Sequence, residues 1–123
     1  MFYVKPIYYK GNLRTYNLLF GLSQHVRDYN LFDIIKDYLK CGVLQNRPSR
    51  PNEVNYFVTS LSDILDIVIP FFQQNPILGI KQLDFLDFVK VANIIKERPS
   101  ALTKEDLQSI GIIKSGMNTG RKI

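Results

Sequence analysis

Thr15-Tyr16-Asn17-Leu18-Leu19-Phe20-Gly21-Leu22-Ser23 carries the clearest two-residue alternation in the chain. Tyr16, Leu18, Phe20 and Leu22 make one apolar face, while Thr15, Asn17, Leu19, Gly21 and Ser23 make a face of mostly small or polar residues. Successive strand side chains point to opposite sides, so this pattern predicts a strand buried on one face and open on the other. Upstream, Phe2 to Tyr9 is rich in aromatic and β-branched residues and reads as a second strand. Lys10-Gly11-Asn12 supplies turn chemistry between them, which makes the two runs a hairpin.

Downstream the period changes. Leu31, Ile34, Ile35, Tyr38 and Leu39 fall at helical spacing within Asp28 to Leu39, with Asp28 or Asn30 placed to cap the start and Cys41-Gly42 to close the end. A second hairpin follows: Val43 to Arg47, a basic loop Pro48-Ser49-Arg50-Pro51-Asn52, and Glu53 to Thr59. In that last strand Val54, Tyr56 and Val58 face inward and Asn55, Phe57 and Thr59 outward. Ser60 or Ser62 caps the next helix, which Pro70 kinks or terminates. Asn75-Pro76 and Gly79 make a turn that delivers Lys81, and Leu83 to Glu97 is a strongly periodic helix. Thr103 with Asp106 resembles a capping box for a final helix to about Lys114. The order β-β-α-β-β-α-α-α predicts an α+β fold, a four-stranded antiparallel sheet of two hairpins with helices packed on one face. Residues 1–114 are expected to form one domain and 115–123 a frayed, basic C-terminal tail.

A chain of 123 residues with 46% hydrophobic and 22% charged residues can bury its own core. One cysteine excludes an internal disulfide framework and a multi-cysteine zinc site. No apolar run reaches the roughly 20 residues of a membrane-spanning helix, no secretory signal opens the sequence, and no Gly-rich phosphate loop is present. The net charge is +5, and it is unevenly placed. Met1 to Arg27 and Lys40 to Pro51 contain no acidic residue but carry Lys5, Lys10, Arg14, Arg27, Lys40, Arg47 and Arg50. Basic surface concentrated on hairpins suits a polyanionic partner. His25, the only histidine, reads as a structural residue at a strand-to-helix junction, and Cys41 as a packed thiol rather than a nucleophile.

An ordered series of short motifs runs through nearly the whole chain. It comprises Ser23-Gln24-His25, Arg27-Asp28, Tyr38-Leu39 with Cys41-Gly42, Ser62-Asp63-Ile64, Ile69-Pro70-Phe71-Phe72, and Pro76 with Gly79 and Lys81. It continues with Asp84-Phe85, Phe88, Lys90-Val91, Leu102-Thr103, Leu107, Ile113-Lys114, and Met117-Asn118 with Arg121. This series resembles the LAGLIDADG homing endonucleases and maturases of organellar introns. The resemblance implies a half-domain of α-β-β-α-β-β-α plan whose sheet forms a saddle in the DNA major groove. It also implies pairing of two half-domains through first helices, each ending in an acid that holds catalytic divalent metals. Met1-Phe2-Tyr3-Val4 resembles the strand just after that helix, so the helix and its acid are missing from the resemblance, and Asp106 stands where the family commonly has glycine. Lys81 resembles the family's basic residue near the scissile phosphate.

Metal-assisted phosphodiester hydrolysis needs carboxylates that hold hard cations beside the phosphate. Glu53 is the only acid in any expected strand. The expectation is therefore a non-catalytic nucleic-acid-binding protein of LAGLIDADG descent, with no catalytic residue, no resident metal, and Mg only if a partner supplies the missing acids. Its ligand is expected to be structured RNA, ribosomal or intron, in preference to DNA, in a mitochondrial ribonucleoprotein and away from membranes. The expected contact residues are Tyr3, Lys5, Tyr9, Lys10, Arg14, Thr15, Asn17, Ser23, Gln45, Arg47, Arg50, Asn55, Thr59 and Lys81. Basic tips suit phosphates, Asn, Gln and Thr suit base edges, and Tyr3 and Tyr9 suit stacking. Ile7, Leu19 and Phe57 on the same face are unusual for a groove-binding saddle and suggest a protein contact. Two alternatives stand beside this reading: half of a split or truncated DNA homing endonuclease, and a protein-interaction adaptor whose partner or second copy covers the apolar surface left by the first helix.

Overall fold

The computed structural model describes residues 1–25 and 29–121. Strands β1 (Phe2–Tyr9) and β2 (Asn12–His25) form the first hairpin, and β3 (Val43–Arg47) and β4 (Arg50–Val58) the second. The antiparallel sheet has the order β1-β2-β4-β3, so the hairpins join through their long inner strands. Helix α1 (Tyr29–Leu39) links the hairpins. After them come α2 (Leu61–Asp63), a π-helical turn (Ile64–Val68), α3 (Ile69–Gln74), α4 (Ile80–Lys96), α5 (Lys104–Ser115) and a 3₁₀ turn (Asn118–Gly120). No helix among the described residues is long and apolar enough to cross a membrane.

The expected facing of the strands holds. Phe2, Val4, Tyr16, Leu18, Phe20, Val54, Tyr56 and Val58 are buried on the helix side. There Phe2 centres an aromatic cluster: its ring centroid lies 5.4 Å from Phe20, 5.2 Å from both Phe85 and Phe88, and 5.4 Å from Phe72 in an edge contact. Phe85 and Phe88 stand one turn apart on α4 and share its buried face with Val91 and Ala92. Tilted and edge-on rings at these distances are the preferred aromatic geometries.

Several local expectations are revised. The second hairpin turns through Pro48 and Ser49 alone, and Arg50 and Pro51 already belong to β4. Pro51 is tolerated because it has a partner on neither side: pairing of β4 with β2 begins only at Glu53 opposite His25, and the register with β3 shifts from Asn46↔Val54 to Arg47↔Arg50. Asn30 lies inside α1 and is not its cap, while Asp28 falls outside the described residues. The helix ends at Leu39, and Lys40 just past it takes a positive φ of 59°; Gly42, at φ 86°, serves the return into β3. Pro70 does not terminate its helix. The chain passes it by widening into the π turn, where the Ile69 N–H reaches back to the Ile64 carbonyl, and Pro70 then sits in the first turn of α3, where no donor is needed. Ser60 caps α2 through the Asp63 N–H, and Thr103 with Asp106 forms the full capping box of α5.

The C-terminal segment is not frayed as far as Arg121. Met117 is buried, Asn118 Nδ2 donates to the Phe2 carbonyl at 2.9 Å, and the Asn118 N–H donates to Asp84 Oδ1 at 3.0 Å. Arg121 Nε donates to the same Asp84 oxygen at 3.0 Å, and its second arm pairs with Asp87. Asp84 is 1% exposed, so this guanidinium neutralises a buried carboxylate and ties the segment to α4.

Candidate nucleic-acid interface

The face of the sheet away from the helices is the candidate site. Cross-strand partners share a face, and Tyr3↔Leu19, Lys5↔Asn17 and Ile7↔Thr15 stand on it in the first hairpin. In the second hairpin Val43↔Phe57 and Gln45↔Asn55 do the same, and Gly21↔Phe57 and Ser23↔Asn55 join the two. Over the middle lies an open cleft of about 570 Å³. Of the residues expected in the site, Tyr3, Lys5, Ser23, Arg47, Arg50 and Asn55 line it together.

Tyr9, Lys10 and Arg14 gather apart, at the tip of the first hairpin. The pairing shifts between Ile7 and Tyr8, because Tyr8 faces Leu13 and leaves Arg14 as the extra residue of a bulge. The bulge brings the Arg14 guanidinium within 5.5 Å of the Tyr9 ring centroid, while Lys10 Nζ lies 5.4 Å from it. Both separations are within cation–π range. It also places Asn12 opposite Tyr9, a position the plain alternation missed. Thr15 and Asn17 lie between tip and cleft, and Gln45 is exposed on the β3 edge. Thr59 lies past the end of β4, in a separate depression with Gly42, Val43 and Asp63, and does not join the cleft. Lys81 is exposed in the first turn of α4 rather than on a loop, and it is close enough to the Met1 amino group to lower its pKa, after burial, to about 6.

The expected apolar anomaly largely disappears. Leu19 is 9% exposed and Phe57 half-buried, so of the three expected apolar residues Ile7 alone stays exposed, a little over a third, joined on this face by Tyr3 and the edge residue Val43. Asn55 departs further: it faces the cleft but is 2% exposed. Its Oδ1 accepts from Ser23 Oγ, and its Nδ2 has no partner. The acid of this face, Glu53, meets Arg50 at 3.3 Å. No group of three or more His, Cys, Asp or Glu among the described residues is arranged to hold a metal ion. Burial raises the Cys41 thiol above its usual pKa, against a smaller opposing hydrogen bond from Tyr56, which suits a packed thiol.

On the opposite side, Phe20, Leu22, Ile35, Leu39, Phe71 and Phe72 line an apolar groove of about 330 Å³ between β2, α1 and α3. Ile34 and Tyr38 stand exposed beside it.

Comparison with known proteins agrees with this architecture. Residues 3–92 match the model of the LAGLIDADG endonuclease family. Two probable intron-encoded endonucleases of Neurospora crassa, numbers 3 and 2, are 32% and 31% identical over 96 and 100 residues, 78% and 81% of this chain. The aligned part is 18% and 22% of those proteins, so the chain spans about a fifth of their length. The meganuclease I-SmaMI, solved bound to uncleavable DNA, superposes with a TM-score of 0.91 at 34% identity over 99% of this chain and 41% of its own. The homing endonuclease I-LtrWI, solved on its target DNA, gives a TM-score of 0.90 at 33% identity, again over 99% and 41%. The chain therefore belongs to the LAGLIDADG endonuclease family.

Proposed function

We propose that this chain is a nucleic-acid-gripping half of a LAGLIDADG-type protein and lays its open sheet face along duplex DNA. The carrying observation is that Lys5, Arg47 and Arg50 surround one cleft on that face, while Lys10 and Arg14 flank the same sheet at its tip. The tip and rim cations take phosphates and set the register. The uncharged side chains between them, Thr15, Asn17, Ser23 and Gln45, meet base edges, while buried Asn55 lies beneath them. Lys81 supplies a further phosphate contact near the start of β1. Relatives solved on DNA support duplex DNA over the RNA ligand that the sequence alone favoured. Kinship with intron-encoded proteins supports a mitochondrial location.

Cutting is not assigned to these residues. Glu53 is engaged by Arg50, and Asp84 and Asp87 by Arg121, so the described residues do not by themselves fit a catalytic metal. An endonuclease built on this chain would take its metal-holding carboxylates from another segment or chain. The apolar groove under β2 supports that reading, since it offers a seat for an apolar helix or a partner.

The test is titration of the chain with labelled duplex DNA and with structured RNA at several salt concentrations. Charge reversal at Arg14, Arg47 and Arg50 should weaken binding and flatten its salt dependence by about one unit of slope per lost phosphate contact. Unchanged affinity would place the contact elsewhere. A metal-dependent nicking assay, with the chain alone and with candidate partner chains, separates the binding module from a split enzyme. The isolated chain nicking DNA would overturn the non-catalytic assignment. A second reading, RNA binding, draws on Tyr9: its ring is 56% exposed beside two cations, which suits stacking on an unpaired base. Tighter binding to structured RNA than to duplex DNA at matched salt would favour it.

A further inference from the structure

Asn118 makes two hydrogen bonds that join the start of the sheet to a helix. The Met1 carbonyl accepts from the Gly21 N–H at 2.8 Å. Carbonyls alternate sides along a strand, so the next one, that of Phe2, points away from β2 to the unpaired edge of β1. Asn118 Nδ2 donates to it at 2.9 Å, and a carbonyl acceptor admits only the amide nitrogen, so this side chain has one orientation. The backbone of the same residue takes a positive φ of 54°, and its N–H donates to Asp84 Oδ1 on α4 at 3.0 Å. Asparagine is among the few residues other than glycine that adopt this conformation readily.

The joint bears on the first turn of α4. That turn starts at Gly79 with no side-chain cap, and Ile80, Lys81 and Leu83 in it are exposed. Asp84 is the first buried residue of the helix, so the turn before it is placed by what anchors Asp84. Lys81 stands three residues earlier, on the same side of the helix. Lys81 and Asp84 both lie near enough to the Met1 amino group to shift its pKa, in opposite directions, and Met1 lines the end of the open cleft. Lys81 has no ion pair among the described residues.

We infer that Asn118 is a positioning residue, which sets where the Lys81 ammonium meets a phosphate at the β1 end of the cleft. The inference rests on the duplex-DNA reading above, in which Lys81 is a phosphate contact. Asn118 acts through the helix and not by touching the ligand. The lysine stem is flexible, so what the joint supplies is the place of its Cα. A helix start free to pull away from β1 carries the ammonium out of reach of a phosphate seated at the cleft. Arg121 assists by neutralising Asp84, the acceptor that Asn118 shares with it.

A double-mutant cycle on the full chain, titrated with labelled duplex DNA across a salt series, tests this. Lys81→Gln should lower the salt slope by about one unit. Asn118→Gly deletes the amide, keeps the backbone N–H for Asp84 and suits the positive φ. It changes no charge, so a merely structural role leaves the slope of the folded protein untouched. It should instead lower the slope by at least about half a unit, and Lys81→Gln added to it should remove less than it does in the wild type. Arg14→Gln, at the hairpin tip, should cost the same slope in both backgrounds. Arg121→Lys keeps a charge for Asp84 but gives up the arm to Asp87, and should act in the same direction as Asn118→Gly. All titrations are run where circular dichroism shows each variant folded. A wild-type slope in Asn118→Gly, no slope loss from Lys81→Gln, or an equal loss in both backgrounds would overturn the inference while Arg14→Gln still reports duplex binding. Absence of salt-dependent duplex binding by the wild type would overturn the duplex reading and this inference together.

Discussion

The two faces of the sheet are built by the same strands with the same alternation, yet they are specified in different ways. On the helix side, Phe2 and Phe20 interlock with Phe72, Phe85 and Phe88, so volume and ring geometry decide each position. On the open side, neighbours such as Asn17 and Gln45 are exposed, and what decides a position is charge or hydrogen-bonding capacity. The largest contrast should come from truncating one residue on each face. Phe20→Ala should cost about 3–5 kcal/mol as an aromatic core cavity. Asn17→Ala should change stability by less than about 0.5 kcal/mol. Urea unfolding followed by circular dichroism measures both, and equal costs would mean that the facing of β2 is wrong.

The same distinction separates two ion pairs. Arg121 reaches Asp84, 1% exposed, whereas Arg98 meets Asp106 at 2.9 Å on the surface with its own side chain 51% exposed. Removing one partner of a buried pair strands the other charge away from water. Arg121→Met should therefore destabilise by about 3 kcal/mol, and Arg98→Met by less than about 1 kcal/mol. A small effect at Arg121 would show that Asp84 finds other partners when the C-terminal segment lets go.

The alternation of β2 and β4, the turn at Lys10-Gly11 and the capping box at Thr103 were legible because each is a local pattern with a local physical cause. The features that were not legible depend on residues far apart in sequence. Arg121 is 37 positions from Asp84, and although both belong to the motif series, no local pattern near Ser115 shows that the segment docks. The bulge at Arg14 fits a strand of unbroken alternation equally well and emerges only in pairing with β1. In the candidate site, the basic residues and the open face were readable from charge and period, whereas the burial of Asn55 was not. That burial depends on β2 and β4 meeting in one register, which places Ser23 beside it.

Glycines sharpen the comparison between local and long-range causes. Gly11 and Gly42 both have positive φ, 80° and 86°. A Cβ at Gly11 meets nothing within 4 Å, whereas at Gly42 it would lie 2.7 Å from the Phe57 carbonyl oxygen and 2.8 Å from the Tyr56 ring. Gly11→Ala should cost only the backbone strain, about 1 kcal/mol. Gly42→Ala adds a steric clash that β4 must move to relieve, and should cost at least about 2 kcal/mol. Similar values for the two would mean that backbone conformation alone sets the requirement at Gly42.

The smallest effect on stability concerns the cleft rim, where it should be offset by a visible effect on binding. Arg50 and Glu53 meet at 3.3 Å with the arginine side chain 68% exposed, and an exposed pair of this kind contributes little to folding. Glu53→Gln should thus leave the unfolding midpoint almost unchanged, within about 0.5 kcal/mol. It also removes the acid of the open face and frees Arg50 for a phosphate, so affinity for duplex DNA should rise and the salt dependence should steepen by up to about one unit. Arg47, which has no ion pair among the described residues, already contributes fully, and Arg47→Gln should lower the slope by about the same amount. If Glu53→Gln leaves both affinity and slope untouched while Arg47→Gln reduces them, the bound phosphates run along the Arg47 side of the cleft and Arg50 stays with solvent.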